Sequence, residues 1–365
     1  MRPAKIATYS SLARKVTTQV TMTAALALSV LMAAVPNPAV AQDASAAKDK
    51  PAWLDPALLA KAKAEGSVTV YSSTNEGEGL PLFKMFEDAT GIKVNYVRAA
   101  DGPLMGRVAV EYRANQNTFD VMQTTTVNKM PSQFLAQIDP PEAKNIIPAA
   151  RDPERRWYGI YANYNTPAYN SKLVKASDLP KTYEDFLKHS EWKGKVAIDN
   201  SDNEWLAGML QFYGEEKGTK LIKDLVKTLQ PVVTSGHLAM AQQVGAGEYA
   251  IALNNYTMLT MNVKLRGNPT EFWAMDPVIL FFGQVGVSSR APHPNAARLV
   301  ANFMLSKQSE AFLTKFGRIP TRTDTPSNPP TVGETMAKHK VITVLLKPSE
   351  EKKWQQRFDS LFKPR

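Results

Sequence analysis

SVTVYSSTNEGEGLPLFKMFEDATGIKVNYV, residues 67–97, decides the fold. VTVY (68–71) alternates as a strand, and Thr74 through Thr90 carries Leu80, Phe83, Met85 and Phe86 as a helical apolar stripe stopped by Gly91. IKVNYV (92–97) is the next strand. A strand, helix and strand of this length predict a right-handed crossover and parallel pairing. The loop between the first strand and the helix holds no GxxxxGK, no GxGxxG and no lysine, while Glu76 and Glu78 would repel a phosphate, so it is not a nucleotide loop. Ser73 or Thr74 instead caps the following helix, whose free N–H groups can meet an anion.

The same grammar runs on through a helix at 103–115, a strand at 120–123, a helix near 127–135 and the strand YGIYANYN (158–165). A strand at 194–199, helices at 203–212 and 216–228, strands at 249–255 and 283–289, and two helical segments in 294–317 complete an α/β chain. Polar clusters fall just after strands: SSTNEG, RAADG, QTTTVN, DNSDN and NNYT. In open parallel sheets the ligand crevice lies beyond the carboxyl ends of the strands, so these five clusters are expected to converge on one cleft.

The chain has 365 residues, 44% of them hydrophobic and 21% charged, enough for a large core. Arg2, Lys5, Arg14 and Lys15 precede the apolar stretch 21–35 and small residues at Ala39 and Ala41, which predicts a signal peptide over 1–41 cleaved after Ala41 and hence a periplasmic protein. Residues 42–51 are expected to be a flexible start. Removing residues 1–41 takes four of the 44 Lys and Arg and none of the 34 Asp and Glu, lowering the formal charge from +10 to +6. The remaining basic residues are scattered, which argues against nucleic acid and allows an anionic ligand. With no cysteine, disulfides, thiolate metal sites and cysteine nucleophiles are excluded. His189, His237, His293 and His339 form no HExxH, and no GxSxG is present. Tyr158, Tyr161, Tyr164 and Tyr169 form a dense aromatic stretch that can pack at a core edge, bind ferric iron or hydrogen-bond a carboxylate or phosphate.

The ordered segments VTVYSS, FKMFEDATGIKVNYVRA, FDVMQ, WYGIYANYNTPAYNSKLV, LPKTYEDFLKHSEWKGKVAID, GEYAIALNNY and PNAARLVANFMLSKQSEAFL resemble bacterial extracellular solute-binding proteins that serve ABC importers. The ferric-iron, phosphonate and sugar-phosphate binders are the most similar group. The resemblance implies a two-lobe periplasmic-binding-protein fold with two crossing strands, an interlobe cleft and hinge closure. It assigns 52–160 plus 277–320 to the first lobe and 161–276 plus 321–365 to the second. It also implies a monomer without a cofactor that hands a small anionic solute to a cognate ABC permease.

Where ferric binders supply a histidine, the resemblance places Asn75. Their acidic ligand falls on Thr125 and their tandem tyrosines on Tyr256 and Thr257, so that design is incomplete here and a ferric site would be a non-standard one drawing on Glu76, Tyr161 or Tyr164 with Tyr256. Their anion contacts fall on Ser201 and Asn254, with Ser235 or His237 near a third. The expected ligand is therefore a small organic or phosphorus oxyanion, bonded by Ser73, Thr74, Thr125, Ser201 and Asn254 and walled by Tyr161 and Tyr256. The competing readings are a secreted hydrolase using His237, Glu76 or Glu78 in the same cleft, and a sensor subunit of the same fold.

Overall fold

The computed structural model describes residues 51–363. The expected signal peptide lies outside the described residues, as does all of the expected flexible start except Pro51. Asp55 opens helix α1 (Pro56–Glu65) by accepting from the Leu58 N–H, with Pro56 in the first turn where its missing N–H costs nothing. Strand β1 (Ser67–Ser72), helix α2 (Glu76–Thr90) and strand β2 (Lys93–Arg98) follow, and β1 pairs in parallel with β2 as the sequence predicts. Gly91 ends α2 in the left-handed conformation, at a φ of 74°.

Next come α3 (Asp101–Arg113), β3 (Val121–Thr124) and β4 (Trp157–Asn170). The helix expected near 127–135 is instead two short 3-10 turns, Val127–Lys129 and Ser132–Phe134, because Pro131 between them has no N–H to continue a helix. The chain continues with β5 (Val196–Asp199), α4 (Asn203–Tyr213), α5 (Glu215–Leu229), β6 (Val232–Thr234), α6 (His237–Ala246), β7 (Ile251–Tyr256), α7 (Thr257–Leu265) and β8 (Thr270–Phe272). It closes with β9 (Val278–Val287), α8 (Pro294–Met304), α9 (Lys307–Leu313), α10 (Pro330–Met336), β10 (Val341–Thr343) and α11 (Glu351–Phe362).

The strands run in the order β2-β1-β3-β9-β4-β7-β5-β6, with β10 beside β9 and β8 beside β4. Two parallel sets result. One is β2-β1-β3; the other is β7-β5-β6. The long antiparallel pair β4 and β9 joins them, so these are the two crossing strands of a two-lobe architecture. Each set is covered on both faces. In the first lobe, Trp53, Phe86, Leu299 and Phe303 fill one core, and Tyr71, Leu104, Met122 and Trp157 fill another. In the second, Tyr183, Phe186, Trp205 and Phe358 pack together, while Met240, Val244 and Ala252 pack separately.

One expected boundary moves. Val332 and Met336 pack into the first core, and Arg322 is pinned there by the Glu142 carboxylate and the Leu305 carbonyl. The tail joins the second core only from Ile342 onward, so 321–336 does not belong with the second lobe. Among the described residues, no helix is long and apolar enough to cross a membrane.

Candidate functional site

The carboxyl ends of both strand sets open on one cavity of about 730 Å³. From the first lobe, Ser73 and Asn75 reach it after β1, Arg98 and Asp101 after β2, and Thr125 and Lys129 after β3. The second lobe contributes Ser201 and Glu204 after β5, Ser235 and His237 after β6, and Tyr256 after β7. Tyr161, Asn163 and Phe281 of the crossing strands form the floor, and Arg318 and Glu351 complete the rim. The expected convergence of post-strand clusters is what the fold delivers.

Helix starts surround the cavity. The residues opening α2, α3, α4, α6, α7 and α11 lie on or beside its wall. Of these six helices only α4 has a side-chain cap, Asp202, which accepts from the Trp205 N–H. Asn75, Ala100, Gly236 and Tyr256 make no capping hydrogen bond, so the first N–H groups of four helices lack a side-chain acceptor, whereas α11 continues directly from the 3-10 turn Pro348–Glu350.

Seven of the expected site residues line the cavity: Ser73, Asn75, Thr125, Tyr161, Ser201, Ser235 and Tyr256. Two do not. Thr74 is buried, and its hydroxyl donates to Gln123 Oε1 at 2.8 Å. Asn254 is also buried, with Oδ1 accepting from the Asp199 N–H at 2.8 Å and Nδ2 donating to the Asp199 carbonyl at 3.3 Å, so it braces β5 against β7 instead of touching ligand. Glu76 is exposed on the first turn of α2 and does not line the cavity, which removes it from the expected ferric set. Glu78 turns into the protein and accepts from Arg318 Nε at 2.8 Å. Thr257, standing in for the second tyrosine, is buried and donates to the Tyr164 carbonyl at 3.1 Å.

Six charged side chains on the wall went unread in the sequence: Arg98, Asp101, Lys129, Glu204, Arg318 and Glu351. Lys129 bridges the Glu204 and Glu351 carboxylates, each at 2.6 Å. Burial disfavours its ammonium, but the two carboxylates outweigh that and raise its pKa. The Arg318 guanidinium stacks 4.1 Å from the centre of the Tyr161 ring. Arg98 Nη2 donates to Asn75 Oδ1 at 3.4 Å, and the Thr125 hydroxyl donates to Asp101. Arg98 and Asp101 belong to the RAADG cluster, a signal that could have found them.

Behind the wall, Asp199 accepts from the Ser201 N–H at 2.9 Å and from the Gly236 N–H, fixing the loops that open α4 and α6. His237 stacks on Tyr256 with ring centres 3.7 Å apart, and its Nε2 lies 3.5 Å from Asp199 and 3.8 Å from Asp202. Burial lowers the His237 pKa although Asp199 opposes it. Burial, reinforced by Glu204 and Asp199, raises the Asp202 pKa well above the usual carboxylate range. Tyr256 is likewise pushed well up, by burial first and then by the carboxylates around it. Among the described residues, no group of three His, Cys, Asp or Glu side chains is placed to hold a metal ion.

The family model for bacterial extracellular solute-binding proteins matches residues 81–338. This chain belongs to that family. The solute-binding protein is 26% identical over 269 residues to iron uptake protein A1 of Synechocystis sp., covering 68% of this chain and 73% of the relative. It is also 26% identical over 284 residues to a candidate 2-aminoethylphosphonate-binding periplasmic protein of Salmonella paratyphi A, covering 73% and 82%. Its fold matches iron-bound HitA from Pseudomonas aeruginosa with a TM-score of 0.68 and 22% identity, covering 80% of this chain and 99% of that one. It matches AfuA of Actinobacillus pleuropneumoniae, with fructose-6-phosphate bound, at a TM-score of 0.69 and 18% identity, covering 82% and 99%. The relatives of this solute-binding protein are named for binding and uptake and not for catalysis.

Proposed function

We propose that this chain is the periplasmic component of an ABC importer, that it captures a small organic or phosphorus oxyanion by closing its two lobes, and that it delivers the solute to a cognate permease. One observation carries the ligand class: four helices without side-chain caps begin at the same interlobe cavity. Bare helix N-termini present donors and a partial positive charge of about half an electron, the standard means of holding an anion out of water. Ser73, Asn75, Thr125, Ser201 and Ser235 add neutral hydrogen-bonding groups, and Tyr161 and Tyr256 supply walls. The relatives named for 2-aminoethylphosphonate and bound to fructose-6-phosphate support a phosphorus oxyanion.

A ferric cargo is the second reading, favoured by Tyr161 and Tyr256 facing one cavity and by the iron-named relatives. Thermal-shift titration separates the two. A ligand at one hundred times its Kd stabilises the native state by about 2.7 kcal/mol. Phosphonates, phosphate esters or carboxylates are expected to raise Tm, and adding ferric iron to citrate is not expected to raise it beyond citrate alone. A shift with ferric citrate alone, accompanied by a tyrosinate charge-transfer colour, would reverse the assignment.

A further inference from the structure

The charge of the cavity does not suit an oxyanion alone. Of its three cationic side chains, Arg318 is engaged by Glu78, and Lys129 is shared between Glu204 and Glu351. One positive charge against two carboxylates leaves that triad net negative. Asp101 adds another carboxylate whose only side-chain partner among the described residues is the neutral Thr125 hydroxyl, and whose Oδ1 has no partner among them. Arg98 and Arg318 stand at the first-lobe side of the cleft, beside Asn75 and Tyr161. The carboxylates gather where α3, α4 and α11 begin.

Two further features bear on the ligand, an unpartnered amide that calls for a polar group and an aromatic wall that suits a cationic one. Asn163 lines the cavity at 1% exposure, and among the described residues neither its Oδ1 nor its Nδ2 has a hydrogen-bond partner. A buried amide left this way is destabilising, and a bound polar ligand removes that cost. The cavity also holds an aromatic wall, with Tyr256 edge-on to Phe281 at 5.2 Å between ring centres. Aromatic faces beside carboxylates attract ammonium groups and not phosphates. The Tyr256 phenol reports the same field: Asp202, Asp199, Glu204 and Asp101 all raise its pKa, after burial.

We infer that the solute is amphoteric, carrying a cationic nitrogen as well as its oxyanion. The anionic end lies against Arg98, Arg318 and the start of α2. The nitrogen lies against Asp101, the Glu204–Glu351 pair and the Tyr256–Phe281 wall. This rests on the oxyanion reading and narrows its ligand class to amino-substituted phosphonates, phosphate esters or carboxylates.

Matched pairs differing only in the ammonium group test it on the wild-type protein by isothermal titration: 2-aminoethylphosphonate against ethylphosphonate, and β-alanine against propionate. In at least one pair, the amino compound is expected to bind at least about tenfold more tightly. In Asp101→Asn, which removes a charge without changing shape, that ratio is expected to fall to roughly threefold or less. Equal binding within both pairs, or tighter binding of the unsubstituted members, overturns the cationic end while leaving the oxyanion reading intact. Binding by no member of either pair overturns the oxyanion reading and this inference with it. A ratio undiminished in a folded Asp101→Asn protein, checked by circular dichroism, overturns the placement of the nitrogen.

Discussion

Lys129, on the turn after β3 in the first lobe, holds its ammonium 2.6 Å from the carboxylate of Glu204 at the start of α4 in the second. Glu351 on α11 takes the same ammonium, and Asn128 beside it donates to the Leu346 carbonyl at 3.0 Å. One short turn thus ties the first lobe to two elements of the second. Charge-assisted hydrogen bonds of this kind contribute about 1.5–3 kcal/mol each. In Lys129→Met the lobes are expected to spend more time apart, raising the radius of gyration of the ligand-free protein in small-angle scattering and weakening ligand affinity by roughly tenfold. An unchanged scattering curve together with unchanged affinity would show that the bridge is incidental.

Glu78 and Arg318 form a second pair, at 5% and 7% exposure and separated by 240 residues in sequence. Removing one member of a buried pair leaves the other charged and unpartnered, at a cost of about 3–5 kcal/mol. Glu78→Ala is therefore expected to lower the urea midpoint strongly. Replacing both residues by leucine should recover most of the loss; if the double variant is as unstable as the single one, the ion pair is not the cause.

Tyr161 on β4 lies directly opposite Gly283 on β9, and its ring covers the space a side chain would need. A Cβ built at 283 would meet three ring atoms at 2.0–2.6 Å. Gly283→Ala must push the Tyr161 ring off its place against Arg318. Overpacking of this kind costs typically 1–3 kcal/mol. Ligand affinity is expected to drop at least about tenfold in calorimetry, whereas Gly77→Ala, with open space around it on α2, should leave affinity unchanged and hold or slightly raise stability.

Glu310 gives stability a pH dependence. Its oxygens accept from the Thr321 hydroxyl and the Arg322 N–H, yet burial raises its pKa to about 8. The native state then holds a proton that the unfolded chain releases near pH 4.5, so this group lowers stability as pH climbs from there to about 8. Below and above that window it adds no slope. Urea unfolding at pH 5, 6.5 and 8 should show the decline in wild type and a flatter profile in Glu310→Gln; parallel profiles would rule Glu310 out as its source.

The α/β order and the first parallel pair were legible because apolar periodicity changes from two to 3.6 residues where strands give way to helices. Most of the cleft's neutral side chains were legible too, since residues following parallel strands share one end of a sheet. Periodicity does not reveal which way a side chain turns at a strand end. Thr74 turned to Gln123 and Asn254 to the Asp199 peptide, satisfying buried polar groups inside the protein. The charged wall was hidden for a different reason: Arg318 meets Glu78 and Tyr161 only through tertiary packing, and Lys129 finds its partners across the lobes. Val332 and Met336 were misplaced because nothing in a short tail segment announces which of two cores it will enter.

The ladder between β4 and β9 changes register between Gly159 and Tyr161, within the pair of strands that crosses between the lobes. Tyr161 is therefore at once a strand residue of the joint between the lobes and a wall residue of the cavity. If a solute leans on that ring as the proposed function has it, it would push on the axle itself, and occupancy and lobe angle would be set by a single mechanical part with no relay of side chains between them.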